Sequence, residues 1–159
     1  MHGGPRLSSR STPRGSTAGA LGAAVVLCVV AGCSSAVEVS PAPFAESPAC
    51  RSVPWPGKVG DAQHVATTSD SAAVAAWGDP AIIARCGLPP LGPTTLECVT
   101  VDGVDWVVRS LSDGSAATTY GTDPAIEVLV PKSYGPAPLQ LPAFGPAARE
   151  LPTNGRHCS

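Results

Sequence analysis

The stretch LECVTVDGVDWVVRS (96–110) holds two runs of β-branched and aromatic residues that are separated only by Asp102-Gly103. An Asp-Gly pair between two such runs is typical of a β-hairpin closed by a two-residue type I′ turn. So tight a turn fixes the register, which places Val101 opposite Val104 and Val99 opposite Trp106. The apolar face of this hairpin is expected to hold Val99, Val101, Val104, Trp106 and Val108. The opposite face is expected to hold Thr100, Asp105 and Arg109.

Similar short runs on both sides of this hairpin predict more strands. The predicted strands are 81–86, 96–101, 104–110, 116–120 and 125–130. Short helices are expected within 61–75 and near 144–151. The predicted fold class is therefore α+β: a small antiparallel meander of about four or five strands, packed against one or two short helices and stapled by disulfides.

One phrase occurs twice, in AWGDPAIIARCG (76–87) and in TYGTDPAIEVLVP (119–131). Proline lacks an amide proton and pushes the preceding residue toward extended geometry. We therefore interpret each Asp-Pro as a turn that leads into a strand, with the Asp side chain hydrogen-bonded to the turn backbone. An alternative, in which Asp79-Pro80 opens a helix, is disfavoured by the β-branched residues that follow it. Use of the same turn twice weakens the case for either copy as an active site.

The N-terminus has the pattern of a secretory signal. Residues 1–17 carry three arginines and no acid, and residues 18–32 carry no charge. The apolar run is shorter than the roughly 20 residues that span a bilayer. VAGC (30–33) matches the lipobox of bacterial lipoproteins, in which the cysteine is acylated and the signal is cut before it. An ordinary secretory signal, with Cys33 free or paired, is the alternative.

These features predict a signal peptide (1–32), a lipidated flexible tether (33–48) rich in Ser and Pro, and a single domain (49–159). The protein is expected on the outer leaflet of the cell membrane, facing the exterior and held by lipid on Cys33. The mature chain would keep seven basic and twelve acidic residues, a net charge of −5. That charge argues against nucleic acid as a partner.

Four cysteines remain in the predicted domain: Cys50, Cys86, Cys98 and Cys158. An even number in an exported chain predicts two disulfides, with three possible pairings. We favour Cys86–Cys98, across the loop between two predicted strands, together with Cys50–Cys158. A zinc site that uses cysteines with His64 or His157 is the rival hypothesis, but the chain has no C-x-x-C pair. No metal and no cofactor are expected.

The segments AWGDPAIIARCG, ECVTVDGVDWVV and TYGTDPAIEVLVP resemble domain-of-unknown-function family 3515, a group of small actinobacterial exported proteins, many of them lipoproteins. The resemblance covers roughly residues 48–158. It implies secretion and a compact domain. It implies no activity, because none is assigned to the family.

The densest group of ionisable residues near tryptophans offers a candidate ligand site. Its members are Trp77, Asp79, Arg85, Asp105 and Trp106. They could bind a sugar or a peptide, or the tryptophans could be core residues while Asp79 forms a turn and Arg85 pairs with an acid. No G-x-S-x-G motif surrounds any serine, and no other catalytic motif is present.

The leading functional hypothesis is a non-catalytic envelope lipoprotein that binds another protein or a cell-wall component. The alternatives are a small envelope hydrolase, which would need His64 and an Asp in one pocket, and a small-ligand-binding lipoprotein.

Overall fold

The structure is a computed structural model that describes residues 35–159. Residues 1–32, expected to form the signal, and Cys33, expected to carry lipid, lie outside this range. No helix within residues 35–159 has the length and apolar character needed to cross a membrane.

One antiparallel sheet of eight strands dominates the fold. The strands β1 to β8 are Lys58–Val59, Ala62–Val65, Val74–Trp77, Ile82–Leu88, Glu97–Val101, Val104–Ser110, Gly114–Thr119 and Ala125–Pro131. Their spatial order is β1-β2-β3-β4-β8-β7-β6-β5, so two four-strand meanders meet where β4 pairs with β8. The predicted antiparallel sheet is confirmed, but the expected four or five strands are too few.

The helices are short. There are two α-helices in residues 35–159, α1 (Pro48–Arg51) before the sheet and α2 (Gly145–Arg149) after it. Three 3₁₀ turns, Lys132–Tyr134, Ala137–Leu139 and Leu141–Phe144, lead from β8 to α2. Helix α2 lies where a C-terminal helix was expected. The expected helix within 61–75 is wrong, because this segment holds β2 and the start of β3. All four residues of β3 are buried, and burial between two strands overrides the helix preference of its alanines.

The hairpin of β5 and β6 has the predicted geometry. Asp102 and Gly103 both have positive φ angles, 51° and 77°, as a type I′ turn requires. Val101 pairs with Val104 and Val99 pairs with Trp106. Trp106 is fully buried, so this face of the hairpin forms part of the core.

Each Asp-Pro phrase precedes a strand, as predicted. Asp79-Pro80 leads into β4 and Asp123-Pro124 leads into β8, and both peptide bonds are cis. The two strands that follow pair with each other at the middle of the sheet. Neither aspartate side chain takes part in a hydrogen bond within residues 35–159, so the expected side-chain contact to the turn backbone is wrong.

The C-terminal segment covers one face of the sheet. Trp77 and Trp106 are both 0% exposed there, together with Leu141 and Phe144. Trp77 and Phe144 meet edge to face, with ring centroids 5.3 Å apart. Aromatic pairs of this geometry favour a well-packed core.

Residues 37–48, which the sequence places in a flexible tether, pack against the sheet. Val39, Ala42 and Ala45 are buried, and the Phe44 amide donates to the carbonyl of Gly87 (2.8 Å). Gly87 has a φ of +107°, and a Cβ there would overlap the backbone of Phe44 and Ala45. Glycine at this position therefore lets the N-terminal segment cross β4. The folded domain begins near Val37 rather than at residue 49.

The four domain cysteines form two disulfides, as predicted, but the favoured pairing is wrong. The bonds are Cys50–Cys86 and Cys98–Cys158. Cys86 lies on β4 and Cys98 on β5, and β8, β7 and β6 lie between these strands. Four strand-to-strand steps of about 4.8 Å separate the two cysteines by far more than a disulfide can bridge.

Candidate functional site

The structure does not gather the five residues of the predicted ligand site. Trp77 and Trp106 are buried in the core. Asp79 is exposed in the turn before β4, and Arg85 points to the opposite face of the sheet, where it contacts Glu127. Asp105 lies on that opposite face as well, on β6. No pocket among residues 35–159 is therefore built from this set as a whole.

Arg85 belongs to an ion cluster on the face away from the tryptophans. The Glu127 carboxylate, only 6% exposed, accepts from Arg85 Nη2 (2.5 Å) and from Arg109 Nη2 (3.2 Å). Neighbouring strands place these side chains side by side, since Arg85 pairs with Glu127 across β4 and β8. Both oxygens of the Glu127 carboxylate are paired, so this cluster has a structural role and its carboxylate is not available as a catalytic acid or base.

A cleft of about 160 Å³ lies between the turn of the β5–β6 hairpin and the C-terminal segment. Seven polar or charged side chains line it: Asp105, Tyr120, Thr122, Arg149, Thr153, Arg156 and His157. A hollow of about 270 Å³, lined by Leu96 and Cys158 among others, shares Tyr120 and His157 with it. We call the two together the C-terminal cleft. Asp105 is the only member of the predicted ligand site that lines it.

Three hydrogen-bonding groups surround the Asp105 carboxylate. Thr100 Oγ1 donates to Oδ1 (2.6 Å), and the Cys158 amide donates to Oδ2 (3.0 Å). His157 Nδ1 lies 3.4 Å from Oδ2. Burial raises the pKa of Asp105, but the bonds from Thr100, Cys158 and His157 outweigh burial and hold the pKa below its ordinary value of 3.8. Asp105 is therefore an ionised brace between the hairpin and the C-terminal tail.

Two arginines flank the cleft without an acidic partner among residues 35–159. Arg149 Nη1 donates to the carbonyl of Asp102 (3.3 Å), and Arg156 Nη1 donates to the carbonyl of Leu91 (3.2 Å). Each guanidinium has five N–H donors, so most remain available to a ligand. Sequence reasoning missed both residues, because they lie in a Pro-broken segment with no motif around them.

The two histidines of the domain are far apart in the fold. His64 lies on β2 and makes a T-shaped contact with Trp77, with ring centroids 5.8 Å apart. His157 lies in the C-terminal cleft. Within residues 35–159, no three His, Cys, Asp or Glu side chains lie close enough together to bind a metal ion. The four cysteines that the zinc hypothesis would use are paired in disulfides.

The structure is a β-rich domain with two disulfides. It has one extensive sheet, short helices and a small polar cleft. The chain belongs to the family described as "Protein of unknown function (DUF3515)", whose sequence profile matches residues 18–153. No curated protein and no solved structure matches it.

Proposed function

We propose that this chain is a lipid-anchored protein of the cell envelope and that its domain is a non-catalytic binding module. The basic and apolar segments that precede Cys33, and the VAGC sequence at 30–33, support export and acylation. Two disulfides in the domain are compatible with an oxidising compartment.

The binding role rests on one observation: two arginines at the C-terminal cleft have no acidic partner among residues 35–159. The mature chain would carry a net charge of −5, yet in this cleft Arg149 and Arg156 outnumber the one ionised acid, Asp105, so the cleft is locally cationic. Guanidinium groups bind carboxylate and phosphate well because their N–H donors match the spacing of two oxygens. The part of the cleft that the two arginines line has a volume of about 160 Å³, which suits one such group rather than a whole polymer. The ligand is therefore an anionic group carried by a larger envelope component.

The test of binding is a titration of the folded domain with inorganic phosphate and with cell-wall polymer that bears phosphate or carboxylate groups. Amide chemical shifts of residues 103–105 and 120–122 should move on titration. The double variant Arg149→Gln/Arg156→Gln should lose this response. Arg51→Gln, at an exposed site on α1, is the matched control for the loss of positive charge and should bind as wild type does. Equal binding by the double variant would refute the assignment.

The anchor has a separate test. Cys33→Ser should release the protein from the membrane fraction, because the acyl chains supply most of the membrane affinity. Unchanged partitioning of the variant would contradict the lipid anchor.

A second candidate function, hydrolysis of envelope material, is supported by the contact of Asp105 with His157. An aspartate can orient a histidine that acts as a general base. However, no hydroxyl group within residues 35–159 hydrogen-bonds to His157, so a nucleophile would have to be a bound water. Loss of hydrolytic turnover in Asp105→Asn, with binding retained, would favour this function over the binding module.

A further inference from the structure

The fold fixes the chain within four residues of the proposed lipid site. Val37 forms a parallel bridge with Thr67. Its amide donates to the carbonyl of Ala66 (2.8 Å), and its carbonyl accepts from the amide of Thr68 (2.9 Å). The next contact follows directly, since the Val39 amide donates to Thr68 Oγ1 (3.2 Å).

The segment after Val37 cannot serve as spare tether. Val39, Ala42 and Ala45 are buried, and the Cys50–Cys86 disulfide secures the end of the segment to β4. Releasing these residues would expose apolar surface and break the backbone hydrogen bond between Phe44 and Gly87. The chain available for reach is therefore the part between Cys33 and Val37.

That length limits how the domain can orient. Four residue steps span at most about 14 Å, whereas the tether expected from sequence, 33–48, would span about 50 Å. A domain of this size has a radius of gyration of about 14 Å, so its far side lies roughly 30 Å or more from its near side. An orientation with Val37 facing away from the bilayer would exceed the reach of the tether.

We propose that the acyl anchor on Cys33 holds the Val37 end of the sheet against the bilayer, so that the loop 66–72 faces the lipid surface. This inference rests on the proposed lipid anchor. The occupant of this face is the membrane in which the acyl chains of Cys33 are inserted.

The loop 66–72, ATTSDSA, is small and polar and suits contact with a zwitterionic lipid surface. It contains one acid, Asp70, and no base. Two hydrogen bonds within the loop use its hydroxyl groups: Thr67 Oγ1 donates to the Ser69 carbonyl (2.9 Å), and the Ser71 amide donates to Ser69 Oγ (3.2 Å). Because the loop contains no base, it has no cationic group that would select anionic lipids. Its position at the membrane follows from the tether length.

The C-terminal cleft lies on another part of the sheet. Strand β2, next to the attachment point, is separated from β6, which carries Asp105, by five strand-to-strand steps. These steps measure at most about 24 Å along the sheet. The membrane-facing loop and the cleft are therefore distinct surfaces, and the cleft does not contain the anchor.

The experiment measures access to the loop in the full-length lipidated protein, reconstituted in phosphatidylcholine vesicles. Asp70→Cys, at an exposed position in the loop, is labelled with a polymer-linked maleimide too bulky to enter the space between protein and membrane. The same variant with a Gly-Ser insertion between Ser35 and Ala36, as long as the tether expected from sequence, is the matched control. Thr95→Cys, in the exposed loop before β5, is the position control. Melting temperatures verify that each variant folds.

We expect Asp70→Cys to react several-fold more slowly with the native tether than with the lengthened one, and Thr95→Cys to react equally with both. Equal reaction of Asp70→Cys with both tethers, in protein that remains on the vesicles, would overturn the inference while leaving the anchor intact. Protection of Thr95 as well would refute the assigned face. Failure of the anchor itself is recognised separately, because a Cys33→Ser chain would then remain with the vesicles.

Discussion

Removal of the disulfide that closes the shorter loop should lower the free energy of unfolding more than removal of the other one. The residues joined are 36 apart in Cys50–Cys86 and 60 apart in Cys98–Cys158. Loop entropy alone assigns them stabilisation of about 3.8 and about 4.3 kcal/mol, respectively. Their surroundings differ more than these numbers do, since Cys50 and Cys86 are both 0% exposed. Replacement of this buried pair by alanine should add about 1–2 kcal/mol for lost core packing.

The other bond holds a C-terminal tail that is mostly exposed. Without Cys98–Cys158 the tail can fray locally, so the free energy of unfolding should fall by less than about 4.3 kcal/mol. We expect Cys50→Ala/Cys86→Ala to lose about 5 kcal/mol and Cys98→Ala/Cys158→Ala to lose clearly less. Guanidinium unfolding of both double variants beside wild type measures the difference. A larger loss for the Cys98 and Cys158 variant would refute the reasoning from burial.

Three further perturbations test the packing. Glu127→Gln should lower the free energy of unfolding in urea by about 2–3 kcal/mol, because it removes the buried charge between two guanidinium groups. Arg109→Gln should lower it by about 1 kcal/mol or less, because the Arg109 side chain is 48% exposed. Equal losses would contradict the enclosed carboxylate. Gly87→Ala should lower the free energy of unfolding by about 2 kcal/mol or more, because a Cβ there overlaps the backbone of Phe44 and Ala45. Gly92→Ala should change it almost not at all, because a Cβ at Gly92 meets no atom within 4 Å. Similar melting temperatures of the two variants would argue against the crossing at Gly87. The lowered pKa of Asp105 predicts that this carboxylate stabilises the fold fully above pH 3.8, its ordinary pKa, and that the stabilisation is lost as the pH falls through the lower folded-state pKa. The difference in free energy of unfolding between wild type and Asp105→Asn should therefore shrink in acid. A difference independent of pH would contradict an ionised Asp105.

The sequence predicted the local parts of the fold well. The Asp102-Gly103 hairpin and its register follow from two residues whose backbone preferences leave one tight turn. The strand that follows each Asp-Pro was equally predictable from proline geometry. Strands β1, β2 and β3 were missed because they are short or alanine-rich, and such runs carry no clear period.

The candidate site could be predicted only in part. Asp105 was identified from its place on the hairpin, and it does line the C-terminal cleft. Arg149 and Arg156 reach the same cleft from more than forty residues away in sequence, as their bonds to Asp102 and Leu91 show. Trp77 and Trp106 were included because the densest group of ionisable residues lies near them in sequence, but their burial makes them core residues.

By itself, the sequence determined the turns, the hairpin register, the positions of the central strands and the presence of two disulfides. Only the tertiary structure decided which strands are neighbours, and through the β4–β8 pairing it decided which cysteines could bond. It also decided that the segment from Val37 packs on the sheet. The physical reason is range: a turn depends on the dihedral preferences of a few adjacent residues, whereas strand order and burial depend on contacts between residues far apart in the chain.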